Sequence, residues 1–216
     1  MTMTPIRRLL LAACVGTLLA GCAIAPPPPP PSSEPVAPYR EQIELSGRLS
    51  VNYLRDGKTE SLAGRFSWRQ SGARTDVVLT SPLGQTVAQI SVAPGLATLT
   101  QAGQPPRAAA DIDSLSAETL GWPLPVSGLR DWLQGYAIDA SGARFVASPR
   151  RDRVTTHDGW RLHFVSWQDE PAAAEPRGGA PRATVPRPKR IDAERSADLQ
   201  TEEVAIRIVL DPPETP

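Results

Sequence analysis

Cysteine is nearly absent from this chain of 216 residues, which has only Cys14 and Cys22. Processing between them would leave no pair, so neither a disulfide framework nor a cysteine-ligated metal site can be built from this sequence. Histidine is as scarce. His157 and His163 are the only two, and a solvated or core position accounts for them better than metal ligation. No H-E-x-x-H and no G-x-S-x-G occurs, so hydrolysis by bound zinc or by an activated serine has no constellation to rest on. No G-x-x-x-x-G-K loop is present to cradle a nucleotide phosphate. Neither sign of charge is in excess: 23 Lys and Arg face 23 Asp and Glu. That balance removes the clustered basic face that nucleic acid requires. Long apolar runs are missing too, since Leu9–Leu19 falls short of the roughly twenty residues that span a bilayer.

What is present begins at the amino terminus. Arg7 and Arg8 precede the Leu9–Leu19 run, and small residues follow it. A charged start, a short apolar middle and a small-residue processing site are the parts of an export signal. On chemistry alone it is an ordinary cleaved signal with an incidental cysteine, an uncleaved anchor, or a lipoprotein signal. Leu19-Ala20-Gly21-Cys22 resembles a bacterial lipobox. The resemblance implies residues 1–21 as a signal peptide, cleavage before Cys22, diacylglycerol on that cysteine and acylation of the new amino terminus. Three acyl chains, at about 0.8 kcal/mol per buried methylene, hold a protein on a bilayer permanently. Ala23 stands where lipoproteins kept in the inner membrane usually carry aspartate, so the outer membrane, facing the periplasm, is the expected location. Beginning at Cys22 the chain has 195 residues, 21 basic and 23 acidic. Beyond the lipid on Cys22 no cofactor is expected, and no metal.

Residues 22–38 read as lipid anchor and spacer. Six consecutive prolines, Pro26–Pro31, with Pro35 and Pro38 favour an extended, semi-rigid rod at about 3.1 Å per residue. A ligand for a proline-binding domain is the alternative reading of that run. Residues 39–211 supply enough chain for one domain. Within it Gln168–Thr184, rich in Ala, Pro, Gly and Arg, reads as a disordered insertion. Residues 212–216 form a proline-rich tail.

Alternation of period two dominates the domain and marks strands buried on one face. Ile43, Leu45, Leu49, Val51 and Tyr53 share one side of a first strand. Leu62, Gly64, Phe66 and Trp68 share one side of a second, and Asp56-Gly57 between them signals a turn. Val77 with Leu79, then Ala88, Ile90 and Val92, then Ala97 with Leu99 continue an antiparallel meander. Two short helices follow, one capped by Asp111 and stopped at Gly121, the other running from a Ser127 cap to Gly135. Trp160, Leu162 and Phe164, and finally Val204, Ile206, Ile208 and Leu210, alternate again. The fold class is α+β: a strongly curved antiparallel sheet with helices on one side, either a sandwich-like layer or an incomplete barrel. A filled core and a ligand-sized interior both fit this pattern.

Ser81-Pro82-Leu83-Gly84 has the residues of a type I turn, which puts Leu83 at an exposed third position. Two roles are open for that leucine: folding onto its own hairpin, or entering a bilayer with a gain of about 2 kcal/mol.

Several segments in this order resemble the LolB family of outer-membrane lipoprotein receptors. They are Gly47-Arg48-Leu49, the run from Gly64 to Gln70, the turn from Thr80 to Gly84, Leu120 to Val126, Leu129 to Gly135, and Gly159-Trp160, all behind the lipobox. The resemblance implies a half-open barrel closed by short helices around a hydrophobic cavity for acyl chains. Phe66, Trp68, Leu79, Ile90, Leu99, Trp132, Trp160 and Phe164 are candidates to line that cavity or to fill a plain core. It further implies a non-enzymatic role that uses no ATP. The chain would receive acylated lipoproteins from the periplasmic carrier LolA and insert them into outer-membrane lipid, with Pro82, Leu83 and Gly84 as the delivering turn. A monomer suffices for that role. The rival readings are a structural or assembly lipoprotein and a binding module for small apolar ligands. Gln168–Thr184 and the proline tail depart from the family pattern.

Overall fold

The computed structural model describes residues 34–55, 57–120, 122, 124–171, 184–196 and 203–213. The signal, Cys22 and most of the spacer lie outside that set. Five strands run as successive antiparallel hairpins: β1 Gln42–Arg55, β2 Lys58–Ser71, β3 Arg74–Thr80, β4 Thr86–Ala93 and β5 Leu96–Gln101. A short β6, Arg107–Ala109, follows, then helices α1 Ile112–Leu120 and α2 Val126–Trp132. β7 Tyr136–Ile138 and β8 Arg144–Val146 make a separate hairpin. β9 Arg153–Thr155, β10 Arg161–Pro171, β11 Thr184–Arg195 and β12 Val204–Leu210 complete the chain. The main sheet has ten strands in the order β6-β5-β4-β3-β2-β1-β12-β11-β10-β9. Its two outer strands do not pair with each other, so the sheet is open.

The alternating residues decide which face is buried, because a slip of one position would turn every apolar side chain to solvent. Leu49 pairs with Ile208, Val51 with Ile206 and Tyr53 with Val204, so the last strand joins the first through buried side chains on one face. Across β1 and β2, Leu45 opposes Trp68 and Gly47 opposes Phe66. Gly47 is required there. A methyl on it would lie 2.9 Å from Phe66 Cε1 and 2.3 Å from the Val209 carbonyl oxygen. The same core takes in residues from both helices and from the β7–β8 hairpin, including Leu115, Trp132 and Phe145. Trp132 meets Trp160 edge-on with ring centroids 5.7 Å apart, and Phe145 stacks on Phe164 at 6.3 Å.

Three boundaries differ from those the sequence suggests. Gln168–Pro171 is the end of β10 and Thr184 the start of β11. Both ends of the expected insertion are therefore ladder, and residues 172–183 lie outside the described set. β11 itself carries Pro186 and Pro188, which oppose Asp169 and Trp167 of β10, whereas pairing with β12 begins only at Arg190. The prolines thus occupy the part of β11 that has a strand on one side alone, where a missing N–H is tolerated. Finally, the domain begins at Val36 rather than at residue 39. Val36 is buried and donates its N–H to Ala147 O at 3.1 Å, and Tyr136 Oη donates to Ala37 O at 2.7 Å. Arg40 and Gln134 exchange two hydrogen bonds, N–H to Oε1 at 2.9 Å and Nε2 to O at 3.1 Å. Arg144 lies over the rings of Tyr136 and Tyr39, 4.6 and 5.9 Å from their centroids. What reads as the end of a spacer is a strap fastened to the domain.

Candidate functional site

The two helices bury apolar side chains in the core they share with the sheet, and polar side chains tie α1 to α2 and each helix to the sheet. Asp111 caps α1, accepting the N–H groups of Asp113 and Ser114, each at 3.1 Å. The start of α2 differs from the expected Ser127 cap. Pro125 holds the cap position without a side-chain hydrogen bond. The exposed amide of Ser127 instead donates to Asp113 Oδ1 at 3.2 Å, and the Ser127 hydroxyl bonds the same carboxylate. One carboxylate of α1 therefore satisfies a free helix-terminal amide of α2. Burial raises the pKa of the Asp113 carboxyl above the ordinary value, against the opposing pull of Ser127. Ser116 Oγ, fully buried, accepts from Leu124 N–H and donates to Leu124 O, both at 3.1 Å. Arg130 fastens α2 to the turn between β2 and β3, donating to Gly72 O at 2.7 Å and to Thr75 Oγ1 at 3.0 Å.

The Asp111 cap gives a pH-dependent expectation. Hydrogen bonds from the Ser114 side chain, and then from the Ser114 and Asp113 amides, hold its carboxyl below the ordinary value. A lowered folded pKa means stabilisation that is present above about pH 4 and is lost as pH falls through the lowered value. Asp111→Ala is expected to remove about 1 kcal/mol at pH 7 and clearly less at pH 3, as read from urea unfolding at the two pH values.

Between helices and sheet lies a wholly apolar seam. Phe66 and Trp68 of β2, Val77 and Leu79 of β3, Leu124, and Leu129 and Leu133 at α2 face each other across a void of only about 20 Å³, which Leu49 and Ile208 close. That holds about one water molecule. Of the residues proposed as cavity lining, Phe66, Trp68 and Leu79 wall this void. Ile90 and Leu99 lie next to them on β4 and β5, in register with Val77 and each other. Trp132, Trp160 and Phe164 are buried elsewhere in the core, Phe164 between Phe145 and Trp167. Leu124, which sequence reasoning missed, comes from an irregular connection and has no periodic signal to reveal it.

A larger depression of about 720 Å³ lies where β12 stops short between β1 and β11. Its lining includes Arg40, Glu170, Arg187 and Asp211. Arg187 and Glu170 are almost fully buried, Arg40 bonds Glu170 Oε1 at 2.6 Å, and Glu170 Oε2 has no hydrogen-bond partner among the described residues. Burial lowers the pKa of the Arg187 guanidinium, with Glu170 opposing that shift. The rest of that lining mixes apolar residues such as Ile43, Leu45 and Val78 with the charges of Glu44, Arg69 and Asp76.

The turn after β3 is built as a projection. Gly84 N–H donates to Ser81 O at 2.9 Å, Ser81 N–H to Gln85 O at 2.8 Å, and Gly84 takes a φ of 82°, which glycine adopts without strain. Pro82 fixes the second position, and Leu83 at the third is 88% exposed. Among the described residues the next most exposed large apolar residue, Leu96, reaches 53%. A leucine so fully in water at a braced tip gains nothing from its own fold. Among the described residues no cluster of His, Cys, Asp and Glu could hold a metal ion, and no helix is long and apolar enough to cross a membrane.

Residues 41–212 match the family described as Outer membrane lipoprotein LolB. The Outer-membrane lipoprotein LolB of Cupriavidus pinatubonensis is 39% identical over 219 residues, covering 100% of this chain and 99% of that protein. That of Cupriavidus taiwanensis is 40% identical over 211 residues, covering 95% and 97%. Its namesake from Bordetella pertussis is 36% identical over 150 residues, covering 68% and 72%. Among solved structures, a DUF1329 family protein from Desulfovibrio piger aligns with a TM-score of 0.44 and 11% identity, covering 79% of this chain and 84% of that one. Matched along the whole domain and, in the Cupriavidus relatives, along nearly the whole chain, this protein belongs to the outer membrane lipoprotein LolB family.

Proposed function

We propose that this protein, anchored in the outer membrane by lipid on Cys22, takes acylated lipoproteins from the periplasmic carrier LolA and inserts them into the outer membrane. The observation that carries the reading is Leu83, 88% exposed on a braced turn. It is supported by the apolar seam under α2, the place where acyl chains would displace side chains of like polarity.

Thermodynamics explains why such a receptor is needed. Three acyl chains hold on the order of forty methylenes, and exposing them to water would cost roughly 30 kcal/mol. The chains must pass from one apolar enclosure to the next, and with no nucleotide spent each step must run downhill. A preference of about 1.4 kcal/mol per step already gives a tenfold bias. Pockets for ligands of this kind measure some hundreds of Å³, against the void of about 20 Å³ described above. Loading therefore requires α2 to draw away from β2 and β3, opening the seam into the cavity of a half-open barrel. Polar bonds at the end of α2 that would have to break are those of Arg130 to Gly72 O and Thr75 Oγ1 and of Gln134 to Arg40.

The test uses the full-length lipidated protein in liposomes, mixed with LolA carrying a labelled lipoprotein. Label that floats with the liposomes, and only when this protein is present, is the expected result. Label that stays on the carrier would overturn the reading and leave a structural lipoprotein in its place.

A further inference from the structure

β2 pairs with β1 along its whole length, from Gln42↔Ser71 to Arg55↔Lys58, but with β3 only from Arg65 to Ser71. Lys58–Gly64 therefore runs past the end of β3 with no strand beside it among the described residues. Antiparallel pairs alternate in the direction of their backbone groups. Arg55↔Lys58 closes the hairpin onto β1, so Thr59, Ser61 and Ala63 turn their N–H and C=O groups outward. All three residues are exposed, and their backbones have no further partner among the described residues. The turn that presents Leu83 sits against the inner end of this edge, since a methyl on Gly64 would lie 2.3 Å from Thr80 O and 3.9 Å from Ser81 Cα. A comparable overhang on β10, beyond β9, is broken by irregular register between Phe164 and Trp167, which spoils it as a template.

We propose that this edge, Thr59–Ala63, docks the extended peptide that follows the acylated cysteine of a cargo lipoprotein. The inference rests on the reading given under Proposed function. Acyl chains and the first residues of the cargo are covalently continuous, so chains leaving beside Leu83 bring those residues to the neighbouring edge. Recognition there is by backbone amides, with small side chains on Thr59, Ser61 and Ala63, and so accepts cargo of any sequence. The chain's own post-cysteine segment is excluded by the same chemistry. Pro26–Pro31 offers no N–H to a strand edge. A receptor with such a spacer cannot occupy its own docking site, and Lys58 with Glu60 discourages unspecific edge pairing.

The experiment follows tripalmitoylated cysteine delivered by LolA to the full-length protein in nanodiscs. Three probes are compared: one with no tail, one with an eight-residue tail of ordinary amides, and one whose alternate tail amides are N-methylated. The ordinary tail is expected to stay on the protein about tenfold longer than the methylated one, the worth of a few backbone hydrogen bonds. Ala63→Pro and, independently, Thr59→Pro should each erase that ratio, which is taken within one protein and so is indifferent to total activity. Equal retention of the two tails by the unaltered protein overturns the proposal, as does a ratio that survives both prolines. A cargo-free dimer that Ala63→Pro dissolves would also overturn it, assigning the edge to a second copy. Failure of the tail-less probe to transfer would instead strike the functional reading itself.

Discussion

Leu83→Glu is expected to stop delivery of lipoproteins into liposomes while leaving the fold, and loading from the carrier, as they were. The side chain is 88% exposed, so nothing in the domain depends on it, and Ser81, Pro82 and Gly84 maintain the turn without it. Moving leucine from water into the bilayer gains about 2 kcal/mol, whereas an acidic side chain at the same depth is penalised by up to about 3 kcal/mol. Even half of that swing lowers the population of the inserted turn more than tenfold. Flotation of labelled cargo reads delivery, and co-purification with cargo reads loading. Normal insertion by Leu83→Glu would remove the turn from delivery, and a defect in loading would relocate its role to the carrier.

Trp160→Ala should have the largest effect on stability, about 3–5 kcal/mol, out of the 5–15 kcal/mol typical of a domain. The indole is almost fully buried and meets Trp132 edge-on, while its N–H group on the backbone donates to Thr156 Oγ1 at 3.0 Å. Trp160 does not wall the void under α2. The protein that remains folded should therefore load cargo normally. Denaturant unfolding measures the first quantity and carrier transfer per folded molecule the second. A loading defect larger than the folded fraction explains would place Trp160 in the acyl path after all.

How far the sequence reveals this molecule depends on whether a residue's position follows from local pattern. β1 to β5 were legible because each buries one face and so writes a period of two, from Ile43 to Leu99. The turn at Ser81–Gly84 was legible because proline and glycine each satisfy a particular dihedral angle, and α1 because Asp111 stands where free amides need an acceptor. β11 was not, since its prolines read as a break and are tolerated only because β12 ends early, a fact of distant pairing. β6 to β9 are three residues each, too short for any period. The start of α2 was misplaced because its amide is satisfied from the neighbouring helix, so Ser127 looks like a cap and is a ligand of Asp113. Nor could spacing separate Phe66, Trp68 and Leu79, which wall the seam, from Trp160 and Phe164, which do not, because all are equally apolar and equally buried.

The strap from Val36 to Arg40 sets the geometry of a leash. Fastened to Gln134, Tyr136 and Ala147, it joins the domain beside Gly72, whose N–H donates to Glu41 O at 3.0 Å. Gly72 precedes β3 and Leu83 follows it, so the point of attachment and Leu83 are at opposite ends of a strand about 23 Å long. In the proposed role Leu83 and the lipid on Cys22 meet one bilayer, which requires the residues between Cys22 and the strap to be able to span at least the length of β3. Residues 23–35 reach about 45 Å at full stretch, nearly twice the length of β3. The six prolines are about 20 Å of that reach, so without them the leash would match the strand with almost no slack. In the proposed role the six prolines therefore supply reach, the length of chain that lets Leu83 and the lipid meet one bilayer.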